Sequence, residues 1–144
     1  MATVRPLTDD DYPQWLGLWA GYLRFYRERL PEEITQATFN RLVDPENELK
    51  GLVAESDGRL LGFAHYLFHP STWSLTGYCY LEDLFVDPDA RGQGAGRALI
   101  EGVYAAADKA GSGRVYWMTQ EFNADARALY DTLGHRTSFI KYQR

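Results

Sequence analysis

Apolar residues recur every three or four positions in four segments of the chain, which is the spacing of an amphipathic helix. The first segment follows the acidic run 9–11, and Pro31 separates it from the second. The other two follow the glycine-rich segment 91–96 and Asn123. The residues predicted to face the core are Trp15, Leu18, Trp19, Tyr22, Leu23 and Tyr26; Ile34, Ala37, Phe39, Leu42 and Val43; Ala95, Leu99, Val103, Ala106 and Ala110; and Ala126, Leu129, Tyr130 and Leu133.

Extended apolar runs between these helices predict strands, and Asp57-Gly58 predicts a hairpin turn between two of them. The resulting order is β-α-α-β-β-β-α-β-α-β, which predicts a mixed α/β sheet with helices on its faces. We expect one domain over residues 1–144. The predicted strands lie at 3–5, 50–55, 60–68, 77–86, 115–119 and 138–142.

The composition narrows the class of protein. The chain has 144 residues, of which 45% are hydrophobic, and a net charge of −5, which argues against nucleic acid as a partner. No apolar run approaches the ~20 residues that span a bilayer, and the N-terminus lacks the apolar core of a signal peptide. Cys79 is the only cysteine, so we expect neither a disulfide nor a cysteine zinc site, and we expect a cytoplasmic protein.

The segment Arg91-Gly92-Gln93-Gly94-Ala95-Gly96-Arg97 lies between a predicted strand and a predicted helix. Glycines there allow a tight turn, and the amides at the start of the helix favour a phosphate group. A triphosphatase loop would need Gly-Lys-Ser/Thr, which is absent, and a dinucleotide loop would need a third glycine where Arg97 stands. The remaining pattern is Arg-x-x-Gly-x-Gly.

That pattern resembles the motif of the GNAT superfamily of acetyl-CoA-dependent N-acetyltransferases. The preceding strand Leu84-Phe85-Val86 and the later helix with Asn123 and Tyr130 match it as well, and the resemblance covers nearly the whole chain. It implies a GNAT-like fold, acetyl-CoA as cosubstrate and no metal. It also implies that the strand before the loop splays from its neighbour to receive the pantetheine arm. The implied cofactor-binding residues are Phe85, Val86, Arg91, Gln93, Gly94, Ala95, Gly96, Arg97, Asn123 and Tyr130.

Tyr130 matches the family's tyrosine that protonates the departing thiolate, although an aromatic anchor for the helix would give the same pattern. Asn123 is a candidate partner of the pantetheine arm and also an ordinary helix N-cap. Glu82 matches a glutamate that faces the acceptor amine in the diamine (spermidine/spermine) acetyltransferases, whose strand resembles residues 80–86. We therefore predict Tyr130 and Glu82 as catalytic residues.

Strict alternation along that strand separates its side chains into two faces. One face would carry Tyr78, Tyr80, Glu82, Leu84 and Val86, and the other Cys79, Leu81, Asp83 and Phe85. Glu82 and Asp83 are predicted to bind the acceptor, with a buried ion pair as the alternative. His65 and His69 are weaker candidates for a base, and Cys79 is a still weaker candidate for an acyl carrier.

The first helix is unusually aromatic, and cation–π contacts suit an amine acceptor. We predict that its Trp19, Tyr22 and Tyr26 contact the acceptor, whereas a packed core face is the alternative. The leading hypothesis is acetylation of a small diamine or polyamine. The alternatives are a protein lysine or an amino acid as acceptor, and a non-catalytic acyl-CoA-binding module. Only about ten residues follow Gly134, so a second subunit could supply a missing edge strand in a homodimer.

Overall fold

A computed structural model describes residues 2–144. They form one mixed five-stranded sheet with helices on both faces. The strands are β1 (Thr3–Pro6), β2 (Lys50–Ser56), β3 (Arg59–Ser71), β4 (Ser74–Val86) and β5 (Val115–Tyr116), in that spatial order. The helices are α1 (Tyr12–Phe25), α2 (Glu32–Val43), α3 (Ala95–Ala110) and α4 (Ala124–Leu133). β5 pairs parallel with β4, whereas the other neighbours are antiparallel. This is the predicted mixed α/β class.

Each face of the sheet buries its own hydrophobic cluster. One cluster joins α3 to residues of β2, β3 and β4 that include Ala64, Leu81 and Cys79, with α4 packed at its margin. The other joins α1 and α2 to Val53 and Phe63. Side chains that alternate along β2 and β3 therefore divide between two helical layers.

A β-bulge interrupts the pairing of β3 with β4. His65 pairs with Asp83 but its neighbour Tyr66 pairs with Leu81, so Glu82 has no partner in β3. The prediction of strict alternation is therefore wrong after Leu81, because one extra residue reverses the faces. The α3 side receives Leu84 and Val86 together with Cys79 and Leu81, and the α1 side receives Asp83 and Phe85.

The end of the chain departs from the prediction. Residues 138–142, predicted as a strand, form none in the described structure, and β5 ends at Tyr116 instead of Thr119. Apolar side chains in the tail are left in solvent: Phe139 and Ile140 are each 77% exposed and Tyr142 is 88% exposed. A strand-like sequence adopts a strand only when a neighbouring edge completes its hydrogen bonds. The tail pairs with no such edge within residues 2–144.

A partly buried ion pair joins the start of the sheet to the turn before α1. The Arg5 guanidinium donates two hydrogen bonds to Asp11, at 2.8 and 2.9 Å, and also pairs with Glu55 of β2. The side chain of Asp11 is only 7% exposed. The hydrogen bonds from Arg5 lower the pKa of the Asp11 carboxyl, in spite of its burial.

We predict that Asp11→Asn lowers the free energy of unfolding by about 1–3 kcal/mol at neutral pH, since the bonds to a charged acceptor are lost. A carboxyl whose folded pKa is depressed stabilises the fold above its unfolded pKa and loses that contribution as the pH falls through the folded value. Urea denaturation at neutral and acidic pH should show the difference from wild type shrinking in acid. Asp10→Asn, in the same turn but exposed, is the matched control. An equal loss in both variants would contradict the assignment.

Candidate functional site

The glycine loop adopts the conformation that only glycine takes readily. Gly92 and Gly94 have φ angles of 82° and 76°, and nothing lies within 4 Å of the position of an added Cβ at either residue. Their role is therefore conformational. Gly94 is the N-cap of α3, so the first amides of the helix have no partner within it and project from its positive end. The arrangement suits an anionic group.

Gly96 serves a different purpose from the other two glycines. A Cβ on Gly96 would lie 3.1 Å from a methyl group of Leu129 and 3.8 Å from Val86, so its absence lets α3 approach α4 and β4 closely. Arg97 strengthens this junction, because its guanidinium donates a 2.7 Å hydrogen bond to Thr132 of α4. The loop, α4 and the end of β4 thus meet at one place. Arg91 and Gln93 are exposed in the loop itself.

The backbone edge of β4 becomes free just before the loop. β4 and β5 share only two pairs, Cys79 with Val115 and Tyr80 with Tyr116. From Leu81 to Val86 the β5 side of β4 has no ladder partner within residues 2–144. Unpaired backbone groups at an edge bind extended, amide-rich ligands well. β4 and β5 therefore diverge after Tyr80, as the resemblance implied, and Phe85 and Val86 lie on the unpaired part of β4.

Tyr130 is half-buried on α4 at the margin of the α3 cluster. Its ring lies edge-on to Trp117 with centroids 5.5 Å apart. Burial, with a smaller contribution from Tyr26, raises the pKa of Tyr130 to about 12. The hydroxyl therefore keeps its proton at neutral pH, as a proton donor must.

Asn123 occupies the N-cap position of α4, but its side chain makes no capping hydrogen bond. The side-chain amide instead donates to Thr119 at 3.3 Å, while the Asn123 carbonyl accepts from the Arg127 amide. An open cleft of about 270 Å³ lies beside it, lined by Phe25, Phe122, Asn123, Ala124 and Asp125. The side-chain oxygen of Asn123 accepts no hydrogen bond from the described residues, so it is available to a ligand.

Asp83 anchors a buried polar network on the α1 side of the sheet. Its Oδ1 accepts a 2.5 Å hydrogen bond from the hydroxyl of Tyr22, and its Oδ2 lies 2.9 Å from Nδ1 of His65. The indole of Trp15 donates to Nε2 of His65 at 3.1 Å. The sequence offered His65 as a base or a structural residue and Trp15 as part of the aromatic face of the first helix, but it linked neither residue to Asp83. The sequence could have paired His65 with Asp83 only if the bulge had been known, because the bulge shifts the register between β3 and β4 by one residue.

Glu82 is the extra residue of the bulge, and its side chain is exposed beside that network. Its pKa is raised, chiefly by partial burial of the carboxyl and then by the charge of Asp83. The positive charge of Arg41 opposes the shift more weakly. A carboxylate with a raised pKa at an accessible bulge is suited to accept a proton.

The three aromatic residues predicted for the acceptor have different surroundings. Tyr22 and Tyr26 are half-buried and their rings are in edge contact, with centroids 5.1 Å apart. Trp19 is 6% exposed, and its indole donates to Thr35 of α2. Its indole packs in the core and stacks on the ring of Tyr22 with centroids 5.2 Å apart. This favours the packed core face, and contact of Trp19 with the acceptor stays a prediction.

The remaining candidates lie away from the free edge of β4 or are inaccessible. His69 is bonded through both ring nitrogens, to the carbonyl of Pro70 and to the hydroxyl of Tyr116. Cys79 is fully buried on the α3 side, and burial raises the pKa of its thiol to about 11. Such a thiol is a poor nucleophile at neutral pH.

No helix within residues 2–144 is long and apolar enough to cross a membrane.

The model of the acetyltransferase (GNAT) family matches residues 13–135. The D-amino-acid N-acetyltransferase HPA3 of Saccharomyces cerevisiae is 38% identical over 98% of this chain and 89% of its own length. The thialysine N-epsilon-acetyltransferase of Sus scrofa is 38% identical over 54% of this chain and 45% of its own length.

Solved structures show the same fold. The aminoglycoside N-acetyltransferase AAC(6')-Iy in complex with CoA aligns over 100% of this chain and 94% of its own, with a TM-score of 0.85 and 20% sequence identity.

Proposed function

The chain belongs to the GNAT family of acetyltransferases, and from that premise we propose that it transfers an acetyl group from acetyl-CoA to the amine of an amino acid. The enzyme class, an N-acetyltransferase, follows from membership of the family. The observation that carries the proposal is the free edge of β4, which runs directly into the glycine loop and the start of α3.

The loop and the free edge fit the two chemical parts of coenzyme A. The amides of residues 93–97 would bind its pyrophosphate, helped by the helix dipole and the charge of Arg91. The backbone of Phe85 and Val86 would pair with its amide-like arm, and Asn123 would bind that arm from α4. Acetyl-CoA, when bound, supplies the acyl group as a thioester.

The acceptor side carries the negative charge that an ammonium group requires. Asp83 and Glu82 present two carboxylates next to each other, with Tyr22 and Tyr26 facing the same region. In both named relatives the acceptor is an amino acid, which supports that class over a diamine or a protein lysine. Among the described residues, Arg41 of α2 is close enough for its charge to act on Glu82, and it would suit the carboxylate of such an acceptor.

Two residues would move protons. Glu82 takes one from the acceptor ammonium, and its raised pKa makes it a better base than an ordinary carboxylate. The free amine attacks the acyl carbon, the carbon–sulfur bond breaks, and the Tyr130 hydroxyl gives its proton to the departing sulfur. As the amide forms, the nitrogen loses its second proton, which restores the hydroxyl of Tyr130. The ammonium and the thioester thus become the amide and the thiol, and the one proton released in total leaves through Glu82.

We predict that amino acids are better acceptors than the matching diamines. Lysine and cadaverine form a matched pair, since cadaverine is lysine without its carboxylate. With acetyl-CoA in excess, kcat/KM should favour lysine or another amino acid by at least about tenfold, as measured by mass spectrometry of the acetylated product. A preference for cadaverine would restore the diamine hypothesis. Binding of acetyl-CoA without turnover of any amine would indicate a binding module instead.

We predict that Gly94→Ala weakens coenzyme A binding by about 5–30-fold. Alanine disfavours the left-handed φ of 76° by about 1–2 kcal/mol, so the loop relaxes to another conformation and must return from it to bind. Isothermal titration calorimetry with coenzyme A measures the change. Gly111→Ala is the matched control, since Gly111 ends the same helix at φ 75° with equally open surroundings. Similar losses of affinity in both variants would contradict a cradle at Gly94.

We predict that Tyr130→Phe lowers kcat by about 100-fold, the typical contribution of a positioned proton donor, and leaves the affinity for coenzyme A unchanged. Steady-state kinetics and calorimetry separate the two effects. Tyr104→Phe removes another hydroxyl, which donates to the carbonyl of Leu133, and should leave kcat unchanged. An unchanged kcat in Tyr130→Phe would remove the phenol from the mechanism.

We also propose that the protein is a homodimer in which the tail of each subunit pairs with the outer edge of β5 in the other. That edge has no neighbouring strand within residues 2–144, and the tail carries Phe139 and Ile140 in solvent. Sedimentation should show a dimer that becomes a monomer when Phe139 and Ile140 are both changed to Ser. Leu75→Ser, at an exposed position of the β3–β4 hairpin, should remain dimeric. A wild-type monomer would refute the proposal.

A further inference from the structure

We infer that His65 is a positioning residue of the acceptor site, held by Trp15 in a single tautomer so that it orients the Asp83 carboxylate toward the ammonium group of the acceptor. The inference rests on the proposed acetylation of an amine. Trp15 and His65 are both buried, and neither takes part in the proposed proton transfers.

The partners of His65 determine its tautomer. The indole nitrogen of tryptophan only donates hydrogen bonds, so the Nε2 atom of His65, 3.1 Å away, must accept with its lone pair. A neutral imidazole carries one proton, which must then be on Nδ1. That nitrogen lies 2.9 Å from Oδ2 of Asp83 and donates to it. Trp15 therefore donates a hydrogen bond to His65, and His65 donates one to Asp83.

The surroundings hold the imidazole in place. Its side chain is 3% exposed, and its ring stacks on Phe63 with centroids 4.3 Å apart. The ring of Trp19 lies at 5.6 Å on the α1 side. Rotation of the imidazole would therefore break two hydrogen bonds and an aromatic stack together. A donor fixed in this way keeps the carboxylate that it binds in one orientation.

Asp83 receives a second fixed donor on its other oxygen. The Tyr22 hydroxyl donates to Oδ1, while His65 donates to Oδ2. Each carboxylate oxygen has two lone pairs, so one on each oxygen is left for a further donor. The side chain of Asp83 is 16% exposed, and this opening is the route by which an ammonium group would reach those lone pairs.

The same geometry excludes His65 from the role of general base. Its only lone pair is occupied by Trp15, and a proton on Nε2 would face the indole N–H directly. Other ionisable groups that act on this region are Glu82 and Tyr80 on β4, Tyr26 on α1 and Arg41 on α2. Of these, only Glu82 combines an accessible carboxylate with a place next to Asp83.

Two variants of His65 separate positioning from packing. In His65→Asn the side-chain amide stands where Nδ1 was and still donates to Asp83, whereas His65→Leu removes the donor. We expect His65→Leu to raise the KM of the amine by roughly 10–100-fold and His65→Asn to restore it to within about threefold of wild type. The KM of acetyl-CoA should stay the same in both. Equal impairment of the two variants, an unchanged amine KM in His65→Leu, or a parallel change in both KM values would overturn the inference.

A spectroscopic measurement tests the network without turnover. Two-bond ¹⁵N–¹H correlations of His65 should show the Nδ1–H tautomer in the wild-type protein, and Trp15→Phe should lose that restriction. Addition of lysine as the probe amine should shift the His65 signals in the wild type. The other tautomer, or no response to the amine, would overturn the inference. If no amine is acetylated although the tautomer and the response are as expected, the proposed function fails and the positioning of Asp83 stands.

Discussion

The single extra residue in β4 determines where the reactive groups of this molecule lie. A β-strand offers alternate side chains to opposite faces, so inserting one residue exchanges the faces for all residues that follow. In this chain the insertion moves Asp83 and Phe85 to the α1 side and Leu84 and Val86 to the α3 side. Without it the carboxylate of Asp83 would point into the apolar cluster under α3, at a large cost in desolvation. The bulge lets a polar site form in the middle of a hydrophobic sheet.

The polar groups drawn inward by the bulge are all satisfied. No buried side-chain nitrogen or oxygen within the described residues lacks a hydrogen-bond partner. Trp15, His65 and Tyr22 supply donors in a region that is otherwise aromatic, and in such surroundings an unpaired carboxylate would be costly. The proposed acceptor site and the stability of the fold therefore depend on the same hydrogen bonds. The glycine loop is different, since its exposed residues contribute little to the core and their cost is conformational.

The helices, the first hairpin and the glycine loop could be predicted because their signals are local. Periodicity places α3, and left-handed glycines at 94 and 111 delimit it at both ends. The bulge could not be predicted, because nothing in Leu81-Glu82-Asp83 departs from ordinary strand composition and its existence depends on the register with β3. The predicted strand at 138–142 does not form for a related reason. These residues have strand propensity, but they pair with no sheet edge within residues 2–144. The role proposed for His65 depends on both the bulge and α1, so only the tertiary structure could suggest it.

The burial of Cys79 has a practical consequence. The chain has one cysteine, and its thiol lies fully inside the α3 cluster with a pKa raised to about 11. The folded protein therefore presents no reactive sulfhydryl of its own to an aromatic disulfide reagent such as Ellman's. Every chromophore released from such a reagent during turnover would come from free coenzyme A. The enzyme can accordingly be assayed continuously and at high protein concentration with a colour reaction whose background is nearly zero.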